Sequence, residues 1–427
     1  MKKNVKSEDI YRLIFVSEPQ MSPKGDRIVY VKKRSDKKDQ CYYSNLQSIH
    51  VQSKHEHIFT EEGKHQDMMP RINPNGKQVV FLRIKEGIPE LRSISMYGGE
   101  SRKLADFPHG DIRNIRFSPD GKQIAVLFAK RNDHIPYENE KRKEPVCRET
   151  DRLYYRLDGH GFIDEEPAQI YLLRASGGTP KKITDCAFDI GTFVWSADAR
   201  ILAYTCIDHA EPELHMEEED IFLLNITDGK TTKLIKPAGP VGFLRFSPDD
   251  TILYFSGHFN PHYSWGADNM DIHALNLNDG KITNLSGKLD RTTDMLTLGD
   301  ITPSFVPQNP VIAGGTMYFT VSSKGTNPLY ALDLGSGELQ TVLEGPECVI
   351  AYSASEDGRQ MALHLAQLER PDEIWHFSLD DEKRLTRLSF NNEKYIDDTD
   401  FRTAQAETVK VKNTGIDMFV QLPPDFN

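Results

Sequence analysis

A tight turn followed by an apolar run recurs along this chain of 427 residues, and so short a repeated unit leaves few folds open. Its clearest copy is FSPDGKQIAVLF, residues 117–128. Related copies are MSPKGDRIVYV from Met21, INPNGKQVVFL from Ile72, WSADARILAYT from Trp195, FSPDDTILYFS from Phe246 and YSASEDGRQMALHL from Tyr352, with a degenerate one over residues 305–319. In the clearest copy Pro119 presets φ for the first central position of a type I turn and Asp120 suits the second. Gly121 then accepts the left-handed conformation from which two antiparallel strands leave in register. Each copy is a hairpin tip.

After each tip comes a second pattern: a β-rich run, a Gly or Asp-Gly turn, and a short strand. Examples are LRSISMYGGESRKL from Leu91, IYLLRASGGTPKKIT from Ile170, IFLLNITDGKTTKL from Ile221, IHALNLNDGKITNL from Ile272, LYALDLGSGELQTVL from Leu329 and IWHFSLDDEKRLT from Ile374, with a faint version over residues 48–60. Two hairpins per repeat give four antiparallel strands. The repeats are anchored at positions 22, 73, 118, 196, 247, 306 (the degenerate copy) and 353, so successive intervals are 51, 45, 78, 51, 59 and 47 residues. Four strands at roughly 40 to 50 residues describe propeller blades, which bury both faces only by packing radially on their neighbours. The fold expected is all-β, a seven-bladed β-propeller of four-stranded antiparallel blades. First and last blades are expected to meet through side chains, and a strand exchange by residues 407–411 would contradict this.

Lys plus Arg number 52 against 64 Asp plus Glu, a net charge of −12, so no global field attracts a phosphate backbone and no nucleic-acid partner is expected. The five cysteines, Cys41, Cys147, Cys186, Cys206 and Cys348, are widely spaced and form no C-x-x-C pair, which suits free thiols in a reducing compartment. The apolar patch after Met1-Lys2-Lys3 is short and carries Arg12, unlike a signal peptide, and the uncharged run 301–323 contains Pro303, Pro307 and Pro310. A cytoplasmic protein without a membrane partner is expected.

Residues 7–16 read as a short helix capped by Ser7, and the basic stretch 32–43 as a solvated loop joining blades. The long third interval comes from an insertion over 131–166. Its first part is polar and charged; its second, RLYYRLDGHGF over 152–162, alternates aromatic residues with Arg and Leu and looks like an extra hairpin or arm. Glu165 and Glu166 form one acidic pair and Glu217 to Asp220 an acidic run. Either could bind a peptide's free amine, although solubilising acids beside a strand start explain them as well. His55, His57 and His65 have no recognised ligand spacing and read as surface-loop residues, so no metal site is expected. Trp195, Trp265 and Trp375 read as packing between blades.

No G-x-S-x-G occurs, so there is no nucleophile elbow. Ser35-x-x-Lys38 matches S-x-x-K but falls in the basic loop, and Gly335-Ser336-Gly337 is a hairpin turn, not a phosphate loop opening a helix. No catalytic residue and no cofactor are assigned.

Four stretches carry a resemblance: the opening SEDIYRLIFVSEPQMSPKGDRIVYV from Ser7, the insertion YYRLDGHGF from Tyr154, the SPDG and GG turn rhythm, and the exit ETVKVKNTGIDMFVQLPPDFN from Glu407. Together they resemble the N-terminal half of a bacterial acylaminoacyl-peptidase-like serine peptidase of the prolyl oligopeptidase family. The resemblance implies an N-terminal helical segment at 1–16, a propeller at 17–398 and, at 399–427, a linker with the first strands of an α/β-hydrolase domain that the chain does not complete. It implies a non-catalytic propeller that gates access of short or N-acylated peptides to a hydrolase domain in cis, with homo-oligomerisation possible in such enzymes. Tyr154, Tyr155, Arg156, Asp158 and Phe162 are the expected contact with the hydrolase domain or a neighbouring subunit. The alternative is a stand-alone TolB- or WD-like propeller that scaffolds protein partners.

Overall fold

The computed structural model describes residues 2–131, 149–158, 161–163, 166–235, 239–260, 268–293, 309–368, 370–380, 384–400, 404–423 and 426. They fall into two compact units, residues 1–72 with 291–427, and residues 73–290. One tip chemistry recurs in the second unit. Ser118 Oγ donates to the Asp120 carboxylate at 2.6 Å and accepts the Gln123 N–H at 3.0 Å, closing the turn from inside. Ser196 with Asp198 and Ser247 with Asp249 repeat the device at 2.7 and 2.6 Å. The serine hydroxyl stabilises the ionised form, so Asp120, Asp198 and Asp249 all have depressed pKa values.

Tips also bond their neighbours. Asn73 Nδ2 donates to Gly121 O at 3.0 Å, and a Cβ on Gly121, whose φ is +68°, would lie 2.4 Å from Asn73 Oδ1. In the fifth copy Asp250 holds the left-handed position at φ 57° where glycine would be easier. Its carboxylate accepts the Ala197 and Asp198 N–H groups at 2.6 and 3.0 Å, which offsets the backbone cost.

Among the described residues there are five separate four-stranded antiparallel sheets, each in meander order. The unit spanning 73–290 holds three, whose first strands are Gly110–Phe117, Ile190–Trp195 and Val241–Phe246. The other unit holds two, beginning with Val311–Ala313 and Cys348–Ala354. The first two repeats, expected as blades of their own, are not separate four-stranded sheets. Ser44 in Cys41–His50 pairs in parallel with Gln66 in Gln66–Ile72, and this bridge ties one repeat to the next. Neighbouring sheets pack by interleaved apolar side chains. One core joins Ala125, Leu127 and Ile170 to Phe193, Trp195 and Leu202; a second joins Val194 and Ala203 to Leu244 and Phe255.

The first and last repeats meet inside one unit. Val16, Met21, Ile28, Tyr30 and Ile49 pack with Ala362, Ile374 and Leu388 in one buried cluster. Among the described residues no strand of the first repeat pairs with a strand of the last sheet, and residues 407–411 pair only within their own hairpin. Asn392 bonds the Ile14 backbone twice, accepting its N–H at 2.9 Å and donating to its C=O at 2.8 Å. Ser353 Oγ donates to Pro19 O at 2.9 Å and accepts the Met21 N–H at 2.7 Å.

Several expectations need correction. The turn serine of the last repeat is Ser355, which donates to Asp357 at 2.6 Å; Ser353, two residues earlier, belongs to the joint just described. The degenerate tip lies at Gly314-Gly315 between Val311–Ala313 and Thr316–Thr320, and Val306 lies outside the described residues. The N-terminal helix is one 3-10 turn, Ser7–Tyr11; its cap is Lys6, whose N–H reaches the Asp9 carboxylate at 3.0 Å, and the strand Ile14–Met21 starts too soon for more helix. Residues 3–4 pair in parallel with 399–400, so the segment is tied to the end of the last repeat. The basic loop is a hairpin, Arg27–Asp36 against Cys41–His50, with Lys33 and Arg34 over the rings of Tyr42 and Tyr43 at 5.7 and 5.9 Å. Ring faces accept the cations that would otherwise repel one another.

Candidate functional site

The arm over residues 152–163 is the feature that repeat geometry does not require. It forms a two-rung hairpin, Arg156 opposite Phe162 and Leu157 opposite Gly161. The Arg156 guanidinium lies over the Phe162 ring at 5.6 Å and Tyr155 lies 6.3 Å from the same ring. So short a ladder needs an outside anchor, and Glu213 provides it from the 3-10 turn Pro212–Leu214. Its carboxylate pairs with Arg152 Nε at 3.0 Å and accepts the Leu153 N–H at 2.5 Å. Burial pushes the Glu213 pKa up, but the Leu153 N–H and Arg152 outweigh it, and the net shift is downward. Spacing pointed to the arm; it gave no pointer to Glu213, whose one local signal is Pro212 opening a helical turn.

Leu153, Tyr155 and Leu157 are 59, 48 and 49 % exposed, and Leu214 beside the anchor is 65 % exposed. Tyr154 and Asp158 also face solvent. Of the expected contact residues, Tyr155, Arg156 and Phe162 come together around one ring, while Tyr154 and Asp158 do not join them.

Glu166 pairs with Lys130 at 3.1 Å and its N–H donates to Lys130 O at 2.7 Å; Glu165 lies outside the described residues, as do Trp265 and residues 132–148. In the acidic run three carboxylates have different partners. Glu218 meets His215 Nδ1 at 2.7 Å, Glu219 accepts the Val241 N–H at 2.8 Å, and the almost fully buried Asp220 accepts from Lys233 at 2.9 Å. Burial raises the pKa of Glu219 and of Glu217; for Glu217 His258 acts the other way. Glu219 and Asp220 tie strands.

His55 and His57 stack with ring centres 6.3 Å apart, but His65 is 8 % exposed, against the expectation of a surface residue. Its Nε2 lies 3.2 Å from Glu61 O and 3.6 Å from Asp67 Oδ2. Among the described residues no three His, Cys, Asp or Glu side chains are grouped to hold a metal ion. Ser35 Oγ donates to Ile10 O at 2.6 Å, and the Gly335 and Ser336 N–H groups close on Asp333, so both loose motif matches are structural. A recess of about 540 Å³ beside Asn73, Gln78, Arg102 and Gly121 is open to solvent, and Asn73, Gln78 and Arg102 each donate there to a backbone carbonyl, of Gly121, Ala175 and Ser176 respectively. No helix among the described residues is long and apolar enough to cross a membrane.

Successive four-stranded meander sheets form a β-propeller arrangement, with the arm inserted in it. No protein-family model matches the chain. It is 25 % identical over 403 residues to the uncharacterized peptidase YuxL of Bacillus subtilis, covering 93 % of this chain and 60 % of that protein. The uncomplexed acylaminoacyl peptidase of Pyrococcus horikoshii superposes with a TM-score of 0.75 at 16 % identity, over 97 % of this chain and 59 % of that one. The β-propeller domain of the Trilobed protease from Pyrococcus furiosus, described as having an open velcro topology, gives 0.62 at 15 % identity over 90 % of this chain and 98 % of that one. The structural neighbours of this chain thus include acylaminoacyl peptidases and prolyl endopeptidases, the kind of enzyme that the sequence resemblance named. The chain spans about 60 % of the length of the curated relative it matches.

Proposed function

We propose that this chain is the seven-bladed propeller portion of an acylaminoacyl-peptidase or prolyl-oligopeptidase-type serine peptidase. In this reading it carries no catalytic group and controls which peptides reach an α/β-hydrolase domain of the same polypeptide. The observation that carries the proposal is one of coverage. Nearly the whole chain superposes on little more than half of the Pyrococcus horikoshii enzyme, and these 427 residues contain no G-x-S-x-G. Size selection would follow from geometry, because a ring admits an extended peptide and excludes a folded protein.

The arm is the surface we assign to contact with the hydrolase domain or a neighbouring subunit. Exposed Leu153, Tyr155 and Leu157 with Arg156 have the aromatic and Arg composition of interface centres. Intact-mass measurement of the native protein that contains these peptides tests the first point. A mass well above 48.6 kDa, with hydrolysis of short N-acylated peptides, is expected. A mass of 48.6 kDa would leave a binding module without a catalytic centre in cis. Deleting residues 153–162 from the native protein tests the second, with altered peptide-size selectivity or weakened assembly expected and unchanged behaviour counting against it.

A further inference from the structure

Two thiols that the peptidase reading leaves unused lie together in the unit spanning 73–290. Cys186 is clamped to the third-repeat sheet by both of its main-chain groups: its N–H donates to Gln169 Oε1 at 3.0 Å and its C=O accepts from Gln169 Nε2 at 2.9 Å. Gln169 is itself held by Thr184, whose hydroxyl donates to the same Oε1 at 2.9 Å. Cys206 ends the strand Ile201–Cys206 of the next sheet, and its Sγ lies 3.7 Å from Phe188 O, two residues beyond Cys186 in the chain. Both side chains pack in the apolar core between these sheets, Cys206 at 3 % exposure and Cys186 at its edge.

We propose that Cys186 and Cys206 form a redox-reversible disulfide that staples two adjacent sheets. The oxidant is a low-molecular-weight disulfide such as oxidised glutathione. The more accessible Cys186, as thiolate, attacks one of its sulfurs; a mixed disulfide forms and one small thiolate leaves with the electron pair. Cys206, deprotonated, then displaces the second small thiolate. In net terms two protein thiols lose two protons and two electrons and the small disulfide becomes two thiols. The polarity of the pair fits that order. The Cys206 thiol lowers the pKa of Cys186, whereas the same contact and burial push Cys206 up.

Incubation of the full chain with excess oxidised glutathione, followed by alkylation and peptide mass analysis, tests the proposal. The expected product is a peptide pair joined through Cys186 and Cys206, lighter by two hydrogen atoms, with a thermal midpoint about 5 °C higher that dithiothreitol reverses. In Cys206→Ser the intermediate should persist as one glutathione on Cys186, and in Cys186→Ser Cys206 should stay alkylatable. Free alkylation of both thiols in the oxidised wild type, or a disulfide to another cysteine, overturns the proposal. A glutathione adduct on Cys206 in Cys186→Ser overturns the order of attack.

Discussion

At the joint between first and last repeats, Val16, Met21, Ile28 and Tyr30 are buried against Ala362, Ile374 and Leu388, and Asn392 bonds Ile14 through both of its amide atoms. The arm over 152–163, in the other unit, has two ladder rungs, exposed Leu153, Tyr155 and Leu157, and one carboxylate, Glu213, holding its base. The joint is held by excluded water and matched polar groups, and the arm by one ion pair at the surface. The first arrangement resists opening at any pH at which the chain folds; the second can be released locally without loss of the core. The difference is between a closely packed core and a locally releasable surface element.

The largest effect should come from the core of the joint. Ile374 is fully buried, and Ile374→Ala should cost about 2–5 kcal/mol in urea unfolding, from lost transfer free energy and the cavity left behind. A loss below about 1 kcal/mol would mean that the joint relaxes around the cavity and is not close-packed. Asn392→Ala comes next. It leaves the Ile14 N–H and C=O without partners and should cost about 1–3 kcal/mol, while a change within error would show that solvent already serves those groups. Smaller again is the contrast between two serines of the last repeat. Ser355→Ala removes the hydroxyl that closes the turn, bonded to Asp357 and Gln360, and should cost about 1 kcal/mol. Ser353→Ala should destabilise by a similar amount through the joint, so the two costs should add if turn and joint are independent.

Those two serines also show how far the sequence could be read. Ser118, Ser196 and Ser247 were legible as tips because each is followed two residues later by the acid it bonds, a purely local arrangement. In YSASEDG the same residue type occurs twice, and the same local rule, an acid two residues later, picks Ser355 through Asp357; the role of Ser353 is not local, since its partner lies some 334 residues earlier. Asn392 has its partner 378 residues away, so nothing near it marks a role. The basic residues 32–34 misled for a different reason: charge runs read as loop, yet all three lie in a strand, and the charges of Lys33 and Arg34 lie over tyrosine rings. At the candidate site, Tyr155, Arg156 and Phe162 were visible as a pattern of types, whereas Glu213 is one acid among many until its contacts are seen.

The smallest global effect, and the sharpest test of the comparison, concerns Glu213. Its folded pKa lies below the ordinary 4.5, so the anchoring it provides is fully present above the unfolded pKa and is lost as pH falls through the folded one. Protection of the Leu153 amide from hydrogen exchange, normalised to its intrinsic rate at each pH, should therefore be constant from pH 7 down to about 5 and collapse below about 4. Glu213→Ala should show no protection at any of these pH values, with global unfolding changed by no more than about 0.5 kcal/mol. The joint supplies the internal control, because the Ile14 amide is bonded to a neutral side chain and should keep its protection across the same range. If Leu153 and Ile14 lost protection together on acidification, the arm would be opening with global unfolding of the chain, and its description as a separately releasable element would fail.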